Sequence, residues 1–213
     1  WLEEHGCKVP MGCLEIFDYL SVAEPSTERN DKKDFQQIVY AGGIHRRKNA
    51  FIYQTNAAIA PCRLDLYGPG ELEEKEYSQW QHVTYHGLVD SDEFIRIVKA
   101  DWGLVWDGDS VDGCSGIWGS YLRINNPHKT SFYLRAGLPV IVWEDSAMAP
   151  FITSNKLGIA VRSLNELPEK LRVITSDEYA QYKDAAMAMK ENLNNGFYFK
   201  KAYEQAAQKL NLL

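Results

Sequence analysis

Phe35-Gln36-Gln37-Ile38-Val39-Tyr40-Ala41-Gly42-Gly43-Ile44-His45-Arg46-Arg47-Lys48 is the stretch that decides the fold. A run from Phe35 to Ala41 that is apolar but for two glutamines stops at a glycine pair, and an amphipathic segment, Asn49 to Ala58, follows. A strand this apolar is buried on both faces, which points to a parallel sheet rather than a half-solvated antiparallel one. The same cadence of strand, turn and helix repeats outward along the chain. Arg63 to Tyr67 runs into Gly68-Pro69-Gly70, Val83 to His86 into Gly87, Gly103 to Trp106 into Asp107-Gly108, and Pro139 to Trp143 into Glu144-Asp145. Helices are expected over Glu71 to Trp80, Ser91 to Ala100 and Pro127 to Ala136. A short one near Ala149 to Ser154 precedes a sixth strand, Gly158 to Val161. The chain reads as a doubly wound α/β domain with a mostly parallel sheet.

The flanks differ from this core, which spans residues 35–175. Residues 1–34 read as a leading segment with a polar loop from Glu24 to Asp34. Trp1 to His5 has the pattern of a helix already under way, which predicts that the chain is a piece of a longer protein. Residues 176–213 read as two helices. The first runs from Ser176, with Glu178 in its first turn, towards Asn194 and is stopped by Gly196; the second spans Phe197 to Leu210. The aromatic set Phe197, Tyr198, Phe199 and Tyr203 exceeds what a lone helix needs, so it packs either on the sheet or on a further domain.

Composition excludes several classes. With 23 basic and 29 acidic residues the net charge is -6, which argues against a general nucleic-acid binder and makes any local cluster of cations informative. Cys7, Cys13, Cys62 and Cys114 show no C-x-x-C pair and no zinc spacing, so they are expected as reduced thiols in a cytoplasmic protein. No leader is apparent, and no apolar run approaches the roughly 18 residues that span a bilayer, which leaves at most a peripheral association with the inner membrane face.

In an open parallel sheet, ligands bind beyond the carboxyl ends of the strands. The first such loop, Gly42 to Lys48, sets four candidate cations after a strand. Gly43 allows close backbone approach, and the following helix start offers free N–H groups to an anion. A solvated basic turn is the alternative. The second is Asn126-Pro127-His128-Lys129-Thr130-Ser131, in which Asn126 is expected as N-cap and Pro127 as the first helical residue. Lys129 then lies in the first turn, where the helix dipole disfavours a cation. A diphosphate between them would reconcile the two; a lysine reaching out to solvent is the alternative. In Gly87-Leu88-Val89, Leu88 offers an apolar edge to a base, with Tyr67 facing the same cleft or simply buried. Asp109 to Asn125, with Gly113, Gly116, Gly119, Trp118 and Tyr121, reads as a mobile loop with aromatic anchors, either a lid or disorder without function.

Tyr121-Leu122-Arg123-Ile124-Asn125-Asn126-Pro127-His128-Lys129 and Phe132-Tyr133-Leu134-Arg135-Ala136-Gly137-Leu138-Pro139-Val140-Ile141-Val142-Trp143 resemble bacterial β-1,6-galactofuranosyltransferases. They are similar too to the accessory glucosyltransferases that extend glycans on serine-rich surface proteins. The resemblance runs from about Ile16 to the C-terminus. It implies one Rossmann-like, nucleotide-sugar-binding domain, the C-terminal half of a two-domain (GT-B) glycosyltransferase whose N-terminal acceptor domain lies outside this chain. It implies transfer of galactofuranose, glucose or a similar hexose from a UDP-sugar to a hydroxyl of a surface glycan or glycoprotein, without a metal or other cofactor. Lys129 then corresponds to a diphosphate-binding lysine, and Arg46, or next Lys48, to a second phosphate ligand; Tyr67 falls near the nucleotide. The partners expected are the donor, the acceptor and the N-terminal domain, with a second copy of the chain as an alternative to a monomer. One departure stands out. Many retaining relatives carry two glutamates eight residues apart, and the matching positions here are Ile124 and Phe132. Ser131 or Tyr133 is then the candidate to meet the ribose, and no retaining mechanism carries over.

Three rivals remain. Asp107-Gly108-Asp109 has D-x-D spacing for a divalent cation in a metal-dependent transferase. A sugar-nucleotide epimerase would use His86 or His128 as its acid or base. A non-catalytic interaction module would use the aromatic C-terminal helices.

Overall fold

The computed structural model describes residues 2, 4–26, 36–70 and 72–212. Six strands form one sheet: β1 (Gln37–Ala41), β2 (Arg63–Tyr67), β3 (Val83–Tyr85), β4 (Trp102–Val105), β5 (Val140–Trp143) and β6 (Gly158–Val161). Their order is β3-β2-β1-β4-β5-β6, and all five pairings are parallel. The connections carry α1 (Ile52–Ala58), α2 (Glu74–Tyr77), α3 (Ser91–Ile97), α4 (Gly116–Tyr121), α5 (His128–Arg135), α6 (Ala149–Ser154) and α7 (Leu167–Val173). Two longer helices, α8 (Ser176–Asn194) and α9 (Phe197–Lys209), close the chain.

Period-two alternation sends each strand's side chains into two cores. Ile38 and Tyr40 of β1, Leu104 of β4 and Ile141 of β5 meet Phe51, Ile52 and Leu167 on one face. Val39, Val105, Val140 and Val142 meet Phe94, Tyr133, Leu134, Ile152 and Met189 on the other. Gly103 in β4 is where Tyr133 lies flat on the sheet, since a Cβ there would come within 2.3 Å of the tyrosine ring. The chain builds outward from β1 to β3, then returns to lay β4 on the other side of β1. The topological switch therefore falls between β1 and β4, which is where a cleft opens at the carboxyl edge of such a sheet.

Several expected boundaries move. The first strand begins at Gln37, with Phe35 outside the described residues. Helix α1 starts at Ile52 rather than Asn49, because Asn49 turns inward and is fully buried. Helix α2 is a single turn held by a Glu73–Glu76 capping box; Glu71 is outside the described residues. Among Trp1 to His5, residues 2, 4 and 5 are in a turn, not a helix, and Trp1 and Glu3 are outside the described residues. Of the polar loop, residues 27–34 lie outside them too. The expected loop from Asp109 to Asn125 contains α4, and its anchors are the buried Val111, Cys114 and Leu122 rather than Trp118 and Tyr121, which stay about half exposed. The last two helices match the expectation, with Thr175 as the N-cap of α8 in a capping box with Glu178. Of the C-terminal aromatics, Tyr198 packs edge-on against Phe151, while Phe197, Phe199 and Tyr203 are exposed.

Residues 15–23 cross α5, α8 and α9 as a strap. The Asp18 carboxylate accepts from the backbone N–H groups of Tyr198 and Phe199, capping α9. The buried Arg135 guanidinium donates to the carbonyls of Ser21 and Ala23. The strap brings Phe17 and Tyr19 to the edge of the cleft. All four cysteines are free thiols, and among the described residues no helix is long and apolar enough to cross a membrane.

Candidate functional site

A cleft of about 290 Å³ opens at the carboxyl edge of the sheet. Gly42 and Gly43 after β1, Tyr67 and Gly68 at the end of β2, and Leu88 and Val89 after β3 form one side. His128, Lys129 and Phe132 of α5, with Tyr19 of the strap, form the other. The floor depends on a close approach of backbones. Gly42 donates its N–H to the Tyr67 carbonyl at 2.9 Å, and a Cβ on Gly68 would fall 2.1 Å from the Gly42 carbonyl oxygen.

Lys129 enters from α5 into the switch point. Its Nζ donates to Asp107 Oδ1 at 2.9 Å and to the Tyr40 hydroxyl at 2.8 Å, and lies 4.3 Å from the Tyr40 ring centroid. Asp107 Oδ1 also accepts from the Tyr40 hydroxyl at 3.0 Å and from Asn49 Nδ2 at 2.8 Å. Burial pulls the Lys129 ammonium below the usual lysine range, while the Asp107 carboxylate pushes it back up. Burial first, and Asp107 second, hold the Tyr40 phenol far above its ordinary value. The lysine disfavoured by the helix dipole is thus compensated by a carboxylate 22 residues upstream, not left bare. Tyr40, Asn49 and Asp107 are not marked by the sequence as its holders; Asp107 enters there only through the rival D-x-D metal site.

Asn126 is not the cap of α5. Pro127 occupies that position, with no side-chain acceptor, which leaves the helix's first N–H groups open to an anion. Asn126 instead donates to the Glu15 carbonyl at 3.3 Å, tying the strap to the helix start, and the Phe17 ring stacks on His128 at 4.5 Å.

The basic loop divides. Arg46 lies away from the cleft, paired with Glu76 of α2 and stacked over Tyr53 at 4.1 Å. Lys48 points to the switch point, its Nζ 3.9 Å from Asp107 Oδ2 and 5.7 Å from the Trp118 ring. The structure therefore ranks Lys48 above Arg46 as the neighbour of Lys129. Tyr67 lines the cleft, stacked on His86 and edge-on to Phe94, and Leu88 presents an exposed apolar edge. Ser131 and Tyr133 are fully buried, and the Tyr133 hydroxyl accepts from the Ala41 N–H at 2.7 Å, so neither lines the cleft. Phe132 lines the cleft in their place. His86 is bound to Asp65 at 2.9 Å beneath Tyr67 and does not line the cleft. Asp107 has its carboxylate engaged by Lys129, and among the described residues no three His, Cys, Asp or Glu side chains are grouped to hold a metal.

The family described as Glucosyltransferase 3-like, C-terminal domain, matches residues 38–206, and the chain belongs to it. The chain is 36% identical over 200 residues to the β-1,6-galactofuranosyltransferase WbbI of Escherichia coli K12, an alignment covering 92% of this chain and 57% of that protein. Among solved structures, AviGT4, a glycosyltransferase of avilamycin A biosynthesis, aligns with a TM-score of 0.55 at 20% identity, over 84% of this chain and 52% of that one. Anabaena HepE, crystallised with UDP and glucose, aligns with a TM-score of 0.50 at 13% identity, over 84% of this chain and 49% of that one. These structures share the fold, the Rossmann-like C-terminal domain of GT-B glycosyltransferases. The chain spans about half the length of the relatives it matches.

Proposed function

We propose that this domain of the Glucosyltransferase 3-like family binds the diphosphate of a UDP-sugar and supplies the donor half of a glycosyl transfer. The convergence of Lys129 and Lys48 on the β1–β4 switch point, beside the uncapped start of α5, carries the reading. As the anomeric bond breaks, negative charge gathers on the departing UDP. Preplaced ammonium groups and helix N–H groups stabilise that charge without reorganising. Leu88 and Val89 flank the uracil, Tyr67 lies near the nucleotide, and Gly43 lets the backbone approach the phosphates. The cations take the place of a metal, so UDP binding is unchanged in EDTA. The WbbI relative makes galactofuranose the first donor sugar to test, with glucose next and a surface-glycan hydroxyl as acceptor. The base that activates the acceptor comes from the other half of the protein, which works in the cytoplasm where UDP-sugars are made.

Calorimetry with UDP on wild type and Lys129→Ala tests the reading. Loss of a charge-assisted contact is worth about 1.5–3 kcal/mol, or roughly 10- to 150-fold in Kd. Equal affinities would discredit the phosphate site. Galactofuranosyl transfer by this chain alone would remove the need for a second half.

A further inference from the structure

The D-x-D stretch at the end of β4 is built as a lysine clamp. Asp107 is 8% exposed, and its Oδ1 accepts from Lys129, Tyr40 and Asn49 while Oδ2 faces Lys48. The groups come from four parts of the chain: β1, the loop after it, the end of β4, and the first turn of α5. Backbone bonds join two of these parts, since Gly108 donates to the Lys48 carbonyl at 2.8 Å and Phe51 donates to the Gly108 carbonyl at 3.2 Å. A carboxylate beside a diphosphate repels it. Here, however, one carboxylate lies between two ammonium groups, so the cluster keeps a net charge of one positive. Without that carboxylate, burial disfavours the Lys129 ammonium with nothing to offset it, and a neutral amine is a poor partner for phosphate.

We propose that Asp107 is the positioning residue of the donor site, its carboxylate fixing the Lys129 and Lys48 ammonium groups where the diphosphate of the sugar nucleotide arrives. This rests on the diphosphate reading above. Among the described residues, the charged and titratable groups facing Lys129 are Asp107, Lys48, Tyr40 and the buried Cys114 thiol. Of these, the Tyr40 phenol and the Cys114 thiol are both pushed up by burial and stay neutral through the working range, which leaves Asp107 as the countercharge.

The test is UDP affinity by calorimetry at pH 7 and pH 9 for wild type, Asp107→Asn and Lys129→Ala. Asparagine keeps the shape and an acceptor for Tyr40 but removes the charge. The ionisations of UDP act on all three proteins alike. Between the two pH values the Kd of Asp107→Asn rises by a larger factor than that of wild type, because without the carboxylate the Lys129 ammonium is lost at lower pH. Parallel curves for wild type and Asp107→Asn, with binding weakened in Lys129→Ala, overturn the proposal and leave the donor site standing. Wild-type affinity in Lys129→Ala overturns both. If Asp107→Asn does not fold, wild type decides against the control ligand UMP. A wild-type preference for UDP over UMP that holds from pH 7 to pH 9 supports the clamp, and one that collapses across that range overturns it.

Discussion

Lys48→Ala and Arg46→Ala, made singly, separate two cations that the sequence places two residues apart and the structure places in different surroundings. The Lys48 side chain is 30% exposed, with Nζ 3.9 Å from Asp107 Oδ2. At about 4 Å, two unit charges interact by about 1 kcal/mol in bulk water and about 4 kcal/mol at the effective dielectric of a protein surface. A phosphate oxygen at a similar distance from a partly exposed ammonium belongs towards the lower end, about 1.5 kcal/mol, or roughly tenfold in Kd. The Arg46 side chain is 53% exposed and already occupied by Glu76 and the Tyr53 ring. Turning it to the cleft gives up both contacts, so its net contribution stays below about 0.5 kcal/mol, about twofold. Calorimetric titration with UDP at fixed ionic strength reads both values, and melting temperatures confirm that each variant is folded. Repeating the titration at low salt enlarges the Lys48 effect, because exposed charges are screened over a Debye length of about 8 Å at physiological salt. An Arg46→Ala variant that weakens UDP as much as Lys48→Ala does, or a Lys48→Ala variant within twofold of wild type, refutes the reasoning.

Gly68→Ala places a Cβ 2.1 Å from the Gly42 carbonyl oxygen at a φ of 132°. Parting the β1 and β2 loops costs about 3 kcal/mol or more and should lower the urea midpoint together with UDP affinity; a loss under 1 kcal/mol would contradict the close approach. Ser131→Ala removes a buried hydroxyl with no hydrogen-bond partner among the described residues, so stability is unchanged or rises by up to about 1 kcal/mol. UDP affinity should also stay the same in that variant, and a tenfold loss would restore Ser131 to the ribose.

The first five strands are legible because each is a short run, largely apolar, ended by glycine or an acidic turn, and that pattern has few other meanings; β6, followed by Arg162-Ser163, is placed by the helix before it. Asn49 was harder, since an asparagine after a basic loop has the look of a helix start. Only the approach of β4 shows that its amide is needed by Tyr40 and Asp107. The error at Ser131 had a remedy in the sequence itself. At about 100° per residue, Ser131 lies roughly 200° around α5 from Lys129, whereas Phe132, four residues after His128, shares the cleft-facing stripe. Arg46 and Lys48 could not be separated in this way, because no period governs a loop. Their assignment depends on Glu76 and Asp107, which are distant in sequence.

Asp107 shows why a motif needs its neighbours. D-x-D spacing in isolation suits a divalent cation, and a lysine in the first turn of a helix in isolation suits an anion. Placed together, the two satisfy each other at 2.9 Å. What remains for a ligand is the net positive charge that Lys129 and Lys48 keep against the single Asp107 carboxylate, together with the open N–H groups of α5. In a chain of net charge -6 that surplus is local, so the cluster gives an approaching diphosphate a short-range attraction that the rest of the surface does not provide. The proposed donor site without a metal rests on the same arithmetic. A divalent ion drawn to Asp107 would have to displace the Lys129 ammonium into a largely buried position with no countercharge, which costs more there than in open water.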